Sequence, residues 1–263
     1  MQTSWQKNSR WYSRLTAGPG HYFHEHTVIP GTLKLLNLNS SARLLDLACG
    51  SGVLARHLPP TVYYTGIDAA PGLIAAAKST NRNHEHQYLV ADITKNLSVP
   101  ADFTHAALIL SLQNLKDSQA AINNCAKHLI QSGILVIVLN HPCFRIPRQS
   151  SWGIDEANKL QYRRINRYLS PLAVPIQMHP GQRHSSVTWS FHQPLSVYSQ
   201  MLFKAGFLIQ LIEEWVSAKK SAGHFAKMED RSRSEFPLFL AIKAYKDSPF
   251  RLDIESLNQF IGK

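Results

Sequence analysis

One short segment constrains the fold of this chain more than any other: Leu44-Leu45-Asp46-Leu47 runs directly into Ala48-Cys49-Gly50-Ser51-Gly52. The pattern is typical of a buried strand that carries an acid near its end and passes through a small-residue turn into a helix, here Val53 to Leu58. Glycines let a ligand approach the backbone closely because no Cβ stands in the way. The N-terminal amides of the helix face the same crevice. The segment therefore predicts a nucleotide-like ligand at the carboxyl edge of a parallel sheet.

The glycine spacing alone does not choose that ligand. Gly50-x-Gly52-x-x-Ala55 also fits the relaxed dinucleotide fingerprint, which leaves an NAD-dependent oxidoreductase open. Asp46 stands four residues before Gly50. Its carboxylate would repel a pyrophosphate and attract a ligand that carries ammonium and sulfonium charges. We therefore interpret Asp46 as a residue that favours a cationic ligand.

Two further acids end predicted strands at the intervals of βαβ units. Asp68 follows Asp46 by 22 residues, and Asp92 follows Asp68 by 24 residues. An acid about 20 residues beyond the glycine turn is suited to accept hydrogen bonds from both ribose hydroxyls. One such aspartate is more often a helix cap or a turn residue. Three of them at successive strand ends predict a shared ligand site.

The remaining pattern alternates strands and helices, which predicts an α/β fold with a doubly wound, parallel sheet. Residues 1–40 are predicted to be mainly helical, with Thr27 capping a helix that continues past Pro30. The further predicted elements are strand 44–48, helix 52–58, strand 62–67, helix 71–79, strand 87–90, strand 106–110, helix 117–130 ended by Gly133, strand 134–139, helix 194–205, strand 207–212, strand 236–244 and helix 252–261.

The pattern Asp-x-Ala-x-Gly-x-Gly at residues 46–52 resembles the signature of class I S-adenosylmethionine (SAM)-dependent methyltransferases. The resemblance implies SAM as cofactor and a Rossmann-like sheet of seven strands with an antiparallel last strand. It covers residues 40–140 strongly and 191–245 in topology. Within the family, the chain is similar to bacterial small-molecule methyltransferases related to the quinone-biosynthesis enzymes. One departure is Ala48, which stands where the commonest signature has glycine.

The resemblance also implies which residues bind the cofactor. An acid at Asp92 meets the adenine amino group in this family, and Ile93 lies against the ring. Gln113 and Asn114 follow the fourth strand, where the transferable methyl would lie. The predicted cofactor-binding residues are Asp46, Ala48, Cys49, Gly50, Ser51, Gly52, Asp68, Ala69, Asp92, Ile93, Ser111, Gln113 and Asn114.

Residues 141–190 interrupt the alternation with five prolines, and their aromatic residues supply packing material. We predict a helical and loop insertion that forms a lid on the substrate side. The whole chain is predicted to be one methyltransferase domain: an N-terminal helical flap (1–40), the cofactor-binding core (41–140), the insertion (141–190), the C-terminal part of the sheet (191–245) and a tail (246–263).

Methyl transfer needs mainly positioning and exclusion of water, and a base only when the acceptor must lose a proton. Histidine suits that role near neutral pH. His141, just past a buried strand, is the first candidate, and a loop histidine bonded to backbone is its alternative. His192 before a proline-started helix is the second candidate. Arg145 and Arg148 of the insertion are predicted to bind a carboxylate or phosphate of the substrate.

The N-terminal segment holds His21, Tyr22, Phe23, His24 and His26 in close succession. Only His21 and His24 are spaced to share a helical face, so we predict no metal site. In a flap over the cofactor, Tyr22 and Phe23 would shield the sulfonium by cation–π contact. Tyr22 is therefore a predicted substrate-side residue, with ordinary helix packing as the alternative.

The net charge of +11 leaves an RNA methyltransferase open as an alternative. Residues 142–190 hold seven Lys/Arg and two Asp/Glu, and such charge attracts polyanions or is simply solvated. Three cysteines without metal-like spacing, no secretory signal and no apolar run long enough for a membrane span predict a cytoplasmic protein. The expected partner is a small-molecule acceptor, and the basic insertion leaves open whether that acceptor is anionic. A non-catalytic SAM-binding protein also stays open, and the sequence leaves the oligomeric state undetermined.

Overall fold

A computed structural model describes residue 3 and residues 5–16, 21–178 and 185–247 of the chain. The predicted helix 252–261 and most of the predicted tail lie outside the described residues. Within those ranges no helix has the length and apolar character needed to cross a bilayer.

A seven-stranded sheet forms the centre of the fold, with strand order β10-β11-β5-β4-β1-β2-β3. Only β11 runs antiparallel to its neighbours, β5 and β10, which confirms the predicted Rossmann-like, mostly parallel sheet. The strands in the described residues are β1 (Arg43–Leu47), β2 (Tyr63–Asp68), β3 (Gln87–Val90), β4 (Phe103–Ile109), β5 (Leu129–Asn140), β6 (Ser150–Asp155), β7 (Leu160–Ile165), β8 (Leu172–Gln177), β9 (Val187–His192), β10 (Phe207–Trp215) and β11 (Phe239–Lys246).

Both faces of the sheet are covered, and each face has its own apolar cluster. Leu45 and Ile67 face one cluster, whereas Leu44 and Tyr64 face the other. Strands buried on both sides lack the alternation of a half-exposed strand, which is why β1 and β5 have nearly continuous apolar sequences. The α-helices in the described residues are α1 (Ser9–Leu15), α2 (Ile29–Leu36), α3 (Pro71–Thr80), α4 (Ser118–His128), α5 (Leu195–Lys204) and α6 (Ala226–Glu235).

Three local predictions were wrong. The helix expected after the glycine turn is a single 3-10 turn, Leu54–His57, because Leu58 precedes two prolines and is extended. Gly133 does not end α4: the chain becomes extended at Leu129, which pairs with Phe103 of β4. Thr27 caps no helix, since it lies inside a π-helical turn, His24–Val28, that continues into α2.

The insertion differs most from the prediction, because it contains strands where helices and loops were expected. β6 pairs with β7 and β8 with β9, each as an antiparallel hairpin. Trp152 of the first hairpin makes an edge-to-face contact with Phe236, 5.4 Å between ring centroids. β9 packs against the 3-10 turn Leu112–Asn114 that follows β4. The second hairpin therefore borders the carboxyl edge of the sheet.

Candidate active site

A cavity of about 320 Å³ lies at the carboxyl ends of the parallel strands, where open α/β sheets bind ligands. Nine of the residues predicted from the sequence to bind the cofactor line it. They are Ala48, Gly50, Asp68, Ala69, Asp92, Ile93, Ser111, Gln113 and Asn114. The structure therefore brings the ends of β1, β2, β3 and β4 to one site.

The glycine turn folds with three left-handed residues, at Ala48 (φ 59°), Gly50 (φ 57°) and Gly52 (φ 71°). A Cβ at Gly52 would lie 3.1 Å from both the Ala77 Cβ and the Tyr88 hydroxyl, so this glycine serves close packing. Gly50 lines the cavity instead. Cys49, Ser51 and Gly52 do not line it; their side of the turn faces the protein interior and the N-terminal segment.

Changing Ala48 to glycine is expected to stabilise the protein. A left-handed conformation costs a residue with a Cβ about 1–2 kcal/mol, and the greater entropy of glycine in the unfolded chain offsets part of that. We expect the free energy of unfolding in urea to rise by about 0.5–1 kcal/mol. As a control, glycine at the exposed helical position Ala75 should lower it by about 1 kcal/mol. A loss of stability in Ala48→Gly would contradict the strain assigned to this turn.

Asp68 connects the glycine turn to the end of β2. Its Oδ2 accepts the Gly50 amide at 3.0 Å, and its Oδ1 accepts the Ala70 amide at 2.8 Å. Burial raises the pKa of this carboxyl, and the two amide hydrogen bonds oppose that rise. Asp68 also lines the cavity, where a carboxylate held in place is suited to accept ribose hydroxyls.

Asp46 does not have the position that the sequence argument required. It shares a sheet face with Tyr64, whose hydroxyl donates to Oδ2 at 2.8 Å, and it does not line the cavity. Burial raises the pKa of Asp46 to about 7, against the opposing Tyr64 hydrogen bond. The structure therefore does not bring Asp46 into the cavity wall, and its contact with a cationic ligand stays a prediction. The register of β1 against β2 explains this position. Leu44 pairs with Tyr64, and side chains two residues apart on a strand lie on the same face, so Asp46 lies on the face of the sheet that carries Tyr64.

The raised pKa of Asp46 predicts a pH-dependent stability. The folded protein keeps the Asp46 proton up to about pH 7, whereas the unfolded carboxyl loses it near its ordinary pKa of about 4. The contribution of Asp46 to the stability of the fold is therefore full at low pH and is lost as pH rises through 7. The isosteric Asp46→Asn does not titrate. The unfolding free energy of Asp46→Asn relative to the wild type should rise by about 2–3 kcal/mol between pH 5 and pH 8. Urea titrations of the ligand-free protein measure this, with Asp102→Asn on the surface as control; a constant difference would contradict it.

Asp92 and Ile93 lie beyond β3 and close the next side of the cavity. Oδ1 of Asp92 accepts both the amide (2.9 Å) and the hydroxyl (2.7 Å) of Thr94, which fixes the carboxylate. Ile93 is 3% exposed, and its carbonyl accepts the side-chain amide of Asn124 at 2.7 Å. A fixed carboxylate beside an apolar side chain suits a flat, amino-bearing ring.

Three polar atoms of the cavity wall are buried without a hydrogen-bond partner among the described residues: Ser111 Oγ, Gln113 Oε1 and His24 Nδ1. Buried polar atoms are nearly always paired, so this grouping indicates a polar ligand. The side-chain amides of Gln113 and Asn114 both donate to the Leu110 carbonyl, at 2.9 and 3.1 Å, which turns the Gln113 oxygen outward from that bond. Together with Gly50, which lines the cavity, these atoms fit a nucleoside with a polar chain.

The sequence interpretation missed part of the wall, because Trp5 and Tyr12 of the N-terminal segment line the cavity. Burial, with the nearby Asp68, raises the pKa of the Tyr12 hydroxyl to about 12. The segment is held by the Thr16 and Ser51 hydroxyls, 2.7 Å apart, and by the Gln6 side chain, which accepts the Gly72 amide at 3.0 Å. The spacing of Trp5 and Tyr12, seven residues apart as on one helical face, was the available signal.

Tyr22 was predicted on the substrate side, but it does not line the cavity. Its ring stacks on His26 at 4.2 Å between centroids, and the Lys219 ammonium lies 4.7 Å from it. His24 does line the cavity, and burial lowers its pKa to about 4, which keeps the ring neutral. Within the described part of the chain, no three His, Cys, Asp or Glu side chains group so that they could hold a metal ion.

His141, the first candidate base, is fully engaged elsewhere. Its Nδ1 accepts the amides of Cys143 (3.1 Å) and Phe144 (3.4 Å), and its Nε2 lies 2.6 Å from Oε1 of Glu214. Burial lowers the pKa of His141, while Glu214 opposes the shift. Both ring nitrogens of His141 are bonded, and the residue does not line the cavity. It positions its loop, which agrees with the alternative of a loop histidine bonded to backbone.

A recess of about 30 Å³ adjoins the cavity, and Gln113 and Asn140 line both. His192 and Arg145 lie in the wall of this recess, together with Gln193 and Tyr198. Arg148 does not: it is exposed and donates to the Pro175 carbonyl at 2.9 Å. Of the residues predicted to contact the substrate, the structure therefore brings His192 and Arg145 next to the cavity.

Comparisons with known proteins identify the core. Residues 45–137 match the methyltransferase domain family. Malonyl-[acyl-carrier protein] O-methyltransferase of Bacillus anthracis is 29% identical over 114 residues, 42% of this chain and 42% of that protein. Ubiquinone biosynthesis O-methyltransferase of Xylella fastidiosa is 34% identical over 98 residues, 36% of this chain and 39% of that protein. The match thus spans about two fifths of the length of these curated relatives.

Solved structures extend the likeness in fold beyond the matched core. An S-adenosylmethionine-dependent methyltransferase from Mesorhizobium loti superposes with a TM-score of 0.65 at 22% identity, covering 84% of this chain and 99% of that one. The family match includes the glycine turn and all three strand-ending acids. Residues 45–137 therefore match a methyltransferase domain, within a fold that the chain shares with S-adenosylmethionine-dependent methyltransferases.

Proposed function

We propose that this protein transfers a methyl group from SAM to a hydroxyl oxygen of a small molecule that binds at the recess. The observation that carries the proposal is the pair Gln113 and Asn140, which line both the cavity and the recess. Because these two residues border both spaces, a methyl donor in the cavity and an acceptor at the recess would lie next to each other. Holding both reactants in line is the main catalytic contribution that methyl transfer needs.

The chain offers a residue for each part of the cofactor. Asp68 would accept the ribose hydroxyls, Asp92 and Ile93 would hold the adenine, and the glycine turn would approach the methionine moiety. Trp5 and Tyr12 would exclude water from above. When bound, SAM supplies a methyl group already activated by its sulfonium.

His192 supports a hydroxyl acceptor. Its Nε2 lies 2.6 Å from the Tyr168 carbonyl, which can only accept, so in the neutral ring Nε2 carries the proton and Nδ1 is the basic nitrogen. Nδ1 of His192 would accept the hydroxyl proton while the acceptor oxygen replaced sulfur on the methyl carbon that bound SAM would supply. The products are a methyl ether and S-adenosylhomocysteine. The two curated relatives are named O-methyltransferases, which agrees with an oxygen acceptor.

The proposal is tested in two stages. Calorimetry should show binding of SAM and S-adenosylhomocysteine and none of NADH; the opposite pattern would mean an oxidoreductase. Protein with methyl-tritiated SAM is then given either a small-molecule extract or total RNA. We expect label in the small-molecule fraction, in a product stable to mild alkali. Label in RNA would replace the small-molecule acceptor, and label released by alkali would replace the hydroxyl with a carboxyl group.

A further inference from the structure

Arg145 is a partly buried cation without a carboxylate partner among the described residues. One of its nitrogens, Nη1, donates to the neutral Oδ1 of Asn140 at 2.7 Å, and the guanidinium lies 5.4 Å from the centre of the Phe239 ring. The ion pairs found in the described residues do not include it. Guanidinium groups are costly to bury unless an anion or several hydrogen bonds compensate.

A neighbouring cation makes the position of Arg145 less favourable. Burial and the neighbouring cation Arg163 both lower the pKa of Arg145. Arg163 itself has a structural role: it donates to the Phe144 carbonyl at 2.7 Å and to the Ser150 hydroxyl at 2.9 Å, and it lies over the Trp152 ring. Arg145 has no comparable set of bonds. An anion entering the recess would therefore be attracted by both Arg145 and Arg163, and Arg145 has N–H donors with which to bind it.

We propose that the acceptor carries a carboxylate that binds Arg145 in the recess, which makes the acceptor a hydroxy acid; this inference rests on the proposed function. A recess of about 30 Å³ has room for one small group of the acceptor and not for the whole molecule. The fork of a guanidinium also binds a carboxylate through two parallel hydrogen bonds. His192 lies in the same wall, beside the rest of the acceptor. The acceptor's hydroxyl must give up its proton there.

Matched ligands separate charge from shape. The protein is saturated with S-adenosylhomocysteine, whose affinity is measured first, and is then titrated with benzoic, phenylacetic and cinnamic acids that carry a ring hydroxyl, and with the corresponding amides. Ligand-observed NMR should show at least one acid binding ten-fold or more tightly than its amide. Phenyl phosphate completes the series; binding tighter than every acid would overturn the carboxylate assignment.

Three variants assign the preference to its residue. Arg145→Gln should lose the preference for acid over amide, Arg145→Lys should keep part of it, and the exposed Arg148→Gln on the same loop should keep all of it. All three should bind S-adenosylhomocysteine as the wild type does, which also controls for folding. An absent preference in the wild type, or one that survives in Arg145→Gln, overturns this inference. Failure of the wild type to bind S-adenosylhomocysteine would instead count against the proposed function.

Discussion

Replacing Asp68 with alanine is expected to weaken SAM binding about 100-fold, or roughly 2.7 kcal/mol. The carboxylate that would accept the ribose hydroxyls is lost. At the same time, the buried amides of Gly50 and Ala70 lose their acceptor, so the glycine turn is no longer fixed to the end of β2. Both effects act on the cofactor side of the cavity. Isothermal calorimetry with SAM and S-adenosylhomocysteine measures the change.

Asp117→Ala is the matched control for this variant. Asp117 also accepts a backbone amide, that of Ala120 at 2.9 Å, but it caps α4 away from the cavity. Its loss should cost about 1 kcal/mol of stability and leave SAM affinity unchanged. If Asp68→Ala bound SAM as the wild type does, Asp68 would have only a structural role and the cofactor would have to lie elsewhere.

Replacing His192 with glutamine is expected to lower kcat for the acceptor by about 10²- to 10⁴-fold, with SAM affinity unchanged. The glutamine amide can still donate to the Tyr168 carbonyl, as Nε2 of the histidine does, so β9 should keep its position. The basic nitrogen is lost, and the acceptor hydroxyl has no group to take its proton. Steady-state kinetics with the acceptor found in the labelling experiment measures the change.

His128→Asn serves as its control, because His128 also bonds a backbone carbonyl, Pro100 at 3.0 Å, but does not line the cavity or the recess. Its kcat should equal that of the wild type. An unaltered kcat in His192→Gln would mean that the acceptor loses no proton in the slow step, as with a carboxylate or a carbon nucleophile. The hydroxyl assignment would then be withdrawn.

The sequence predicted that the strand ends would meet at one cavity, because that arrangement depends on spacing. Asp68 and Asp92 end parallel strands, and parallel strands necessarily bring their carboxyl ends to one edge of the sheet. The position of Asp46 outside the cavity lining could not be predicted in this way. Its contact with Tyr64 depends on how β1 and β2 are aligned, and one strand read by itself does not contain that alignment.

The acceptor side could not be predicted in the same way, because it depends on contacts between distant segments. His141 looked suitable from its place after β5, but Glu214 of β10 and two local amides occupy its ring nitrogens. The helix α6 was missed because its sequence is almost entirely polar and buries only Ser232, so no apolar period marks it. The prolines of the insertion likewise obscured its two hairpins.

One hydrogen bond between the N-terminal segment and the second hairpin has a consequence for how the ligands bind. The Ser186 hydroxyl, beside β9, donates to Oδ1 of Asn8, just ahead of α1. This contact joins the N-terminal segment, whose Trp5 and Tyr12 line the cavity, to the second hairpin beside the recess. Ordering one of them favours the arrangement that the other requires, so each ligand should raise the affinity for its counterpart by an equal factor. Donor and acceptor would then bind with positive heterotropic cooperativity, and the ternary complex would accumulate at concentrations where either binary complex alone is sparse.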